Sequence, residues 1–200
     1  MTLRRVVVAL LVLTAGACTQ VTRQAAPETA MKPRDKQLLA NAPYKKVLPP
    51  DQYQRSIVDY SGSQKPGTIV VDTDKKYLYY VEDGGKAIRY GVTVGEEGLA
   101  FRGEAKVGRK TEWPTWTPTP EIKQRLSGIP DFVGPGPHNP MGARALYLYQ
   151  GNKDTLFRIH GTNQPEYIGQ AISSGCIRML NEDVIDLYNR VPQGTNVVVL

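Results

Sequence analysis

Cysteine and histidine are scarce in this 200-residue chain, with two of each. A structural zinc site needs four ligands drawn mainly from those two types. With Cys18 lipidated or on a floppy tail, at most three candidates remain, so no metal is expected. The same count rules out a multi-bridge disulfide framework. Long apolar runs are missing too. The longest, Val6 to Leu13, falls far short of the ~20 residues needed to cross a bilayer. No tract of Lys and Arg interleaved with aromatics occurs. The formal charge of +6 includes Arg4 and Arg5 of the leader. A mildly basic chain of this kind suits an anionic envelope surface or an acidic substrate, and nucleic acid is not an expected partner. No internal repeat is present.

The chain does begin with two early positive charges, the short apolar run and a small-residue site, Ala15-Gly16-Ala17. These are the three parts of a secretory signal, assigned to residues 1–17. Cys18 follows at once and resembles a bacterial lipobox cysteine, although Ala15 stands where Leu is usual. This makes it the lipidation candidate, and Thr19 after it favours the outer membrane. The expected location is the periplasm or envelope, with membrane contact only through the lipid. Residues 18–50 are polar and rich in Ala and Pro, and read as a tether. With Cys18 lipidated or distant, Cys176 is a thiol without a partner in an oxidising compartment.

The catalytic-size unit is expected over 51–200. Gly 19, Pro 15 and Tyr 11 favour a turn-rich, strand-rich protein. Thr68–Asp72, Lys76–Val81 and Ala87–Val94 read as an antiparallel meander, Ala145–Tyr149 and Leu156–Ile159 as a hairpin, and Asn196–Leu200 as a closing strand. Val184, Leu187, Tyr188 and Val191 recur at helical spacing, with Asn181 as the N-cap. The expected fold class is mostly β: a β-sandwich of mixed sheets with one or two helices. Between Gly103 and Pro140 a long Pro/Gly-rich loop holds both tryptophans. It either covers core or walls a substrate groove, which makes Trp113 and Trp116 lid candidates.

His160 ends a strand-like run in "FRIHGTN", and Cys176 sits in a glycine-containing turn, "AISSGCIRM". A lone Cys is often a buried apolar spacer and a lone His a satisfied polar group. Ser173-Ser174-Gly175 shifts the balance, because such a turn lets successive N–H groups converge on one point, as an oxyanion hole requires. A Cys nucleophile needs a base, and His is the usual one. Cys176 is not at the predicted helix start, so His160 has to supply the activation.

"IHGTN" followed by "IGQAISSGCIRMLNEDVIDLY" resembles the L,D-transpeptidase catalytic domain of the YkuD type. "PGTIVVDT", "NPMGARALYLY" and "VPQGTNVVVL" extend the resemblance over most of residues 53–200. It implies a groove at the sandwich edge, a peptidoglycan stem peptide as substrate and no cofactor. Cys176 would be the nucleophile and His160 the general base and acid, oriented by the backbone carbonyl of Gly161. Gly175 and Cys176 would form the oxyanion hole, and Arg178, Ser173, Ser174 and Thr162 would bind substrate. Arg178 could equally serve a structural salt bridge. Release of D-Ala would leave a thioester, which an amine of a second stem or of a wall-linked lipoprotein would take. Hydrolysis of the same bond by a thiol carboxypeptidase or amidase, and a non-catalytic peptidoglycan-binding lipoprotein, remain alternatives. Two positions depart from the longest form of the motif: Ser174 stands where that form has a second His, and Arg178 where it has Asn. His138 could then replace His160 only if the long loop folded over the site.

Overall fold

The computed structural model describes residues 25, 26, 28–96 and 101–200; the leader and Cys18 lie outside them. Eleven strands run in chain order: β1 Ser56–Asp59, β2 Ile69–Asp72, β3 Tyr77–Glu82, β4 Lys86–Gly91, β5 Val94–Gly95, β6 Gly103–Glu112, β7 Arg144–Gln150, β8 Lys153–His160, β9 Ala171–Ser173, β10 Ile177–Arg178 and β11 Asn196–Val199. Three α-helices accompany them: α1 Pro33–Ala40, α2 Pro120–Arg125 and α3 Asn181–Arg190. Nine strands form one mixed sheet in the order β1-β4-β3-β2-β11-β6-β7-β8-β10, and β5 and β9 pair separately.

The meander β2-β3-β4 is antiparallel, as the successive runs predict. Leu78 and Val81 of β3 point inward between half-buried tyrosines. Its tight turn carries Gly84 and Gly85 at φ +70 and +68, a left-handed geometry that side chains resist. Parallel pairing enters at two places: β11 joins β2, and β10 joins β8. One hydrophobic cluster takes Ile88 and Tyr90 from β4, near one end of the large sheet, and Ile159 and Ile177 from β8 and β10 at the other. The sheet therefore curls over a shared core, which α3 closes with Val184 and Leu187. The result is mostly β with mixed sheets.

Three expectations change. β6 runs through the start of the segment read as loop. It lies between β11 and β7 and presents only Ala105 and Val107 inward. The third meander run stops at Gly91, and its last residues cross to the small sheet as β5. The tether expected over 18–50 is, along 28–50, laid on the domain. Asp35 of α1 is buried and pairs with buried Arg144, while Leu39 packs with Trp113, Ala143 and Ile185. Burial opposes ionisation of Asp35, but hydrogen bonds from Arg144 and the Trp113 indole outweigh it and hold the carboxyl below its ordinary range. Nearby, Thr29 N–H donates to Asp186 and Arg55 reaches Glu28. A segment with so little apolar periodicity docks through buried polar pairs, which composition does not advertise.

Candidate active site

Parallel pairing of β8 and β10 builds the site. Ile177 faces Ile159 and Arg178 faces His160 in register. Cys176, one residue before β10, therefore lies abreast of Arg158. Side chains along a strand alternate between faces, so His160, Arg158, Arg178 and Cys176 share one face. The ladder continues past the strand ends through Met179 N–H to the His160 carbonyl at 2.8 Å.

His160 is buried, and its Nδ1 lies 2.6 Å from the Gly161 carbonyl oxygen. A carbonyl only accepts, so Nδ1 carries the proton and Nε2 keeps a free lone pair. The carbonyl of Met141 also interacts with the imidazole. Burial, then the Arg178 charge, push the His160 pKa down to about 3 despite these two carbonyls. The imidazole is therefore neutral at neutral pH.

Cys176 is a free thiol in a half-buried residue. Burial raises its pKa above the ordinary thiol value. The backbone N–H of Arg158 and the charges of Arg158 and Arg178 oppose this and do not overcome it. The shared face thus carries a neutral thiol and a neutral imidazole. The thiol's turn is held by Ser173, whose hydroxyl donates to the Cys176 carbonyl at 2.6 Å and accepts from Gly175 N–H at 3.2 Å. Gly175 takes φ +117 to make that turn.

The other expected residues divide. Ser174 is exposed beside Cys176. Ser173 and Thr162 are buried and engaged within their own loops, Thr162 Oγ1 accepting Gln164 N–H at 3.0 Å. Arg178 is half-buried and donates to the neutral Gln164 amide at 3.2 Å. Among the described residues it has no carboxylate partner, and burial lowers its pKa. Arg158, by contrast, is committed to Asp154 by two hydrogen bonds and stacks over Tyr147.

The tryptophans are not both at a groove. Trp113 is buried at φ +43 and bonded to Asp35, a core position. Trp116 packs half-buried against Met141, Ala145 and Tyr147 and pairs by backbone with Val133, which ties the long loop together at its base. The loop meets the site's surroundings at two places: Asn163 donates to the His138 carbonyl at 2.9 Å, and α2 connects through an exposed ion pair. Its Arg125 bonds Glu96, whose N–H in turn meets the Ser173 carbonyl. His138 is exposed on this loop and its ring lies against Gly136. Asn181 is not the helix cap. Leu180 holds that position, and the Asn181 side chain accepts Ala143 N–H instead of a helix N–H. Sequence reading missed the carbonyl of Met141 and the backbone N–H of Arg158, since main-chain groups carry no residue signature.

The model of the YkuD family, described as the L,D-transpeptidase catalytic domain, matches residues 66–199. The "Probable L,D-transpeptidase ErfK/SrfK" of Escherichia coli K12 is 37% identical over 142 residues, covering 68% of this chain and 44% of that protein. This chain therefore spans less than half the length of that relative. A solved structure from Brucella melitensis, named a "Probable carnitine operon oxidoreductase", is 50% identical; the match covers 76% of this chain and 96% of that one, with a TM-score of 0.51. The structure of the Ldtfm–avibactam carbamoyl enzyme is 24% identical, covers 68% of this chain and 49% of that one with a TM-score of 0.53, and bears on the fold alone.

Proposed function

Because the chain belongs to the L,D-transpeptidase catalytic-domain family, we propose that Cys176 and His160 carry out acyl transfer on peptidoglycan stem peptides. Cys176 Sγ attacks the carbonyl at the L-centre of the third residue, a diamino acid, and its proton passes to His160 Nε2. The C–N bond to the terminal D-Ala breaks, and the departing amine takes that proton. A thioester remains on Cys176. The side-chain amine of a second stem, or an amine of a wall-linked lipoprotein, then attacks it, giving its proton to His160. The thiol leaves, recovers the proton, and a new amide replaces the old one. One amide is exchanged for another, so no external energy source is needed.

The observation that carries this reading is the β8–β10 register, which puts Cys176 and His160 on one face with the imidazole neutral and its Nδ1 proton fixed on Gly161. Gly161 thereby fills, with its backbone, the orienting role that a carboxylate fills in other triads. The N–H groups of Gly175 and Cys176 receive the oxyanion, Gly175 giving up its long bond to Ser173. Arg178, a desolvated guanidinium bonded only to a neutral amide among the described residues, takes a stem carboxylate. Ser174 lines the entrance beside it. Export through residues 1–17, lipidation at Cys18 and action in the envelope belong to the same proposal. Among the described residues no helix is long and apolar enough to cross a membrane.

Incubation of the purified chain with disaccharide-tetrapeptide, read by mass spectrometry, tests the reaction. A dimer lacking one D-Ala is expected. Tripeptide plus free D-Ala without dimer would replace transfer by hydrolysis, and no turnover would overturn both. Intact mass of the chain made in an exporting bacterium tests the lipid on Cys18.

A further inference from the structure

The imidazole of His160 meets two main-chain carbonyls, those of Gly161 and Met141. Neither carbonyl belongs to a regular element, so something else has to fix them. The side chain of Asn181 lies between the two loops. Its Oδ1 accepts Ala143 N–H at 2.8 Å, two residues beyond Met141, and its Nδ2 donates to the Thr162 carbonyl at 2.7 Å, one residue beyond Gly161. The orientation of the amide is not arbitrary. Ala143 N–H can only donate and the Thr162 carbonyl can only accept. Asn181 is buried, and an aspartate there would lose both donor bonds while keeping a charge.

Two glycines make room for it. A Cβ on Gly142 or on Gly161 would come within 2.2 Å of Asn181 Oδ1, and Gly142 also takes φ +61. The second Nδ2 bond leaves the catalytic domain as the family defines it. It runs to the hydroxyl of Tyr44 at 2.6 Å, in the segment that precedes the matched residues 66–199. The same segment grips the site from a second direction. Asp35 pairs with Arg144, whose carbonyl accepts Gly161 N–H at 3.0 Å.

We infer that Asn181 and Tyr44 are positioning residues for His160, and that the N-terminal strap around α1 is part of the catalytic apparatus rather than a spacer. Tyr44 closes the last bond of an amide that aligns both loops, and the loops aim the imidazole. This rests on the functional reading above for its kinetic consequence, but not for its structural one.

The test uses the full chain and two readouts. The first is turnover of the tetrapeptide. Groups that orient a reacting residue from behind typically matter about 10–100-fold. Asn181→Ala is expected to lower kcat within that range with KM little changed, and Tyr44→Phe to lower it by a smaller factor. The second readout is 15N NMR of the imidazoles, which needs no substrate. With only His138 and His160 in the chain, the two signals are separable. Wild type should show His160 as a single Nδ1–H tautomer, and Asn181→Ala a mixture, with Asn181→Gln failing to restore it because the longer side chain cannot fit against Gly142. A folded Asn181→Ala that keeps both kcat and the tautomer overturns the inference. So does a fall in kcat with the His160 signal unchanged. If Asn181→Ala does not fold, Tyr44→Phe decides by the same two signals. If wild type has no turnover, the functional reading fails while the tautomer still judges the positioning.

Discussion

On the His160 side of the site, every restraint ends on main chain that neighbouring strands or Asn181 hold in turn. On the Cys176 side, one buried serine ties a short turn whose next residue, Ser174, faces solvent. The imidazole is buried and fixed, while the thiol lies in a half-buried turn beside exposed Ser174. The difference teaches how the two functions are separated. A proton acceptor gains from rigid aim and from burial that keeps it neutral. A nucleophile needs access, and it has to shift as its carbon partner becomes tetrahedral.

The contrast can be broken most severely from the fixed side. His160→Ala should cut turnover by about 10²–10⁴-fold, the usual worth of a positioned acid–base group, while the circular dichroism spectrum stays native. Next is the strap. Asp35→Ala leaves the Arg144 guanidinium and the Trp113 indole buried without their acceptor. Breaking a buried ion pair costs about 3–5 kcal/mol, so urea unfolding should show a loss of that order. An unchanged midpoint would mean the strap is not docked in solution.

Ser173→Ala sharpens the comparison from the other side. It removes two hydrogen bonds of the cysteine turn, and a loss of about 1–3 kcal/mol is expected. The rate of Cys176 alkylation should change while the His160 tautomer does not. Alkylation of the wild type should still be climbing above pH 9, because burial raises the thiol pKa; a plateau near neutrality would mean a resting thiolate.

The remaining contrast is in pH dependence of stability. His160, depressed to about 3 in the folded chain, refuses a proton that the unfolded chain binds below about 6.5. Its contribution is complete above that value and is lost as pH falls toward 3. Asp183 behaves oppositely. Burial outweighs the Arg55 charge and raises it to about 7, so its contribution is present below the ordinary carboxylate range and is lost as pH rises to 7. Thermal melts of Asp183→Asn should therefore gain on wild type between pH 5 and pH 8.

Most of the sheet was legible because β-branched and aromatic residues are concentrated along β2, β3, β4, β7, β8 and β11. β6 was not, because "GEAKVGRKTE" commits only two apolar side chains to the core and spends the rest on charge. The ends of β8 and β10 announced themselves through "IHGTN" and "SSGCIRM". Register between them was not readable, since pairing of distant strands leaves no local pattern. Asn181 was misread for a physical reason: Asn before two acidic residues is what a cap looks like, and only the folded chain reveals that its amide is spent on the loops around His160. Thr162 and Ser173 were expected at the substrate, but their hydroxyls are turned into the scaffold.

The strap also sets an order of events. Tyr44 and Asn181 are 137 residues apart in the chain, and Asp35 and Arg144 are 109 apart. Contacts at such separations form late, after the loop entropy between them has been overcome. The seam that joins residues 35 and 44 to residues 144 and 181 thus ties completion of the His160 surroundings to the whole length of chain between them.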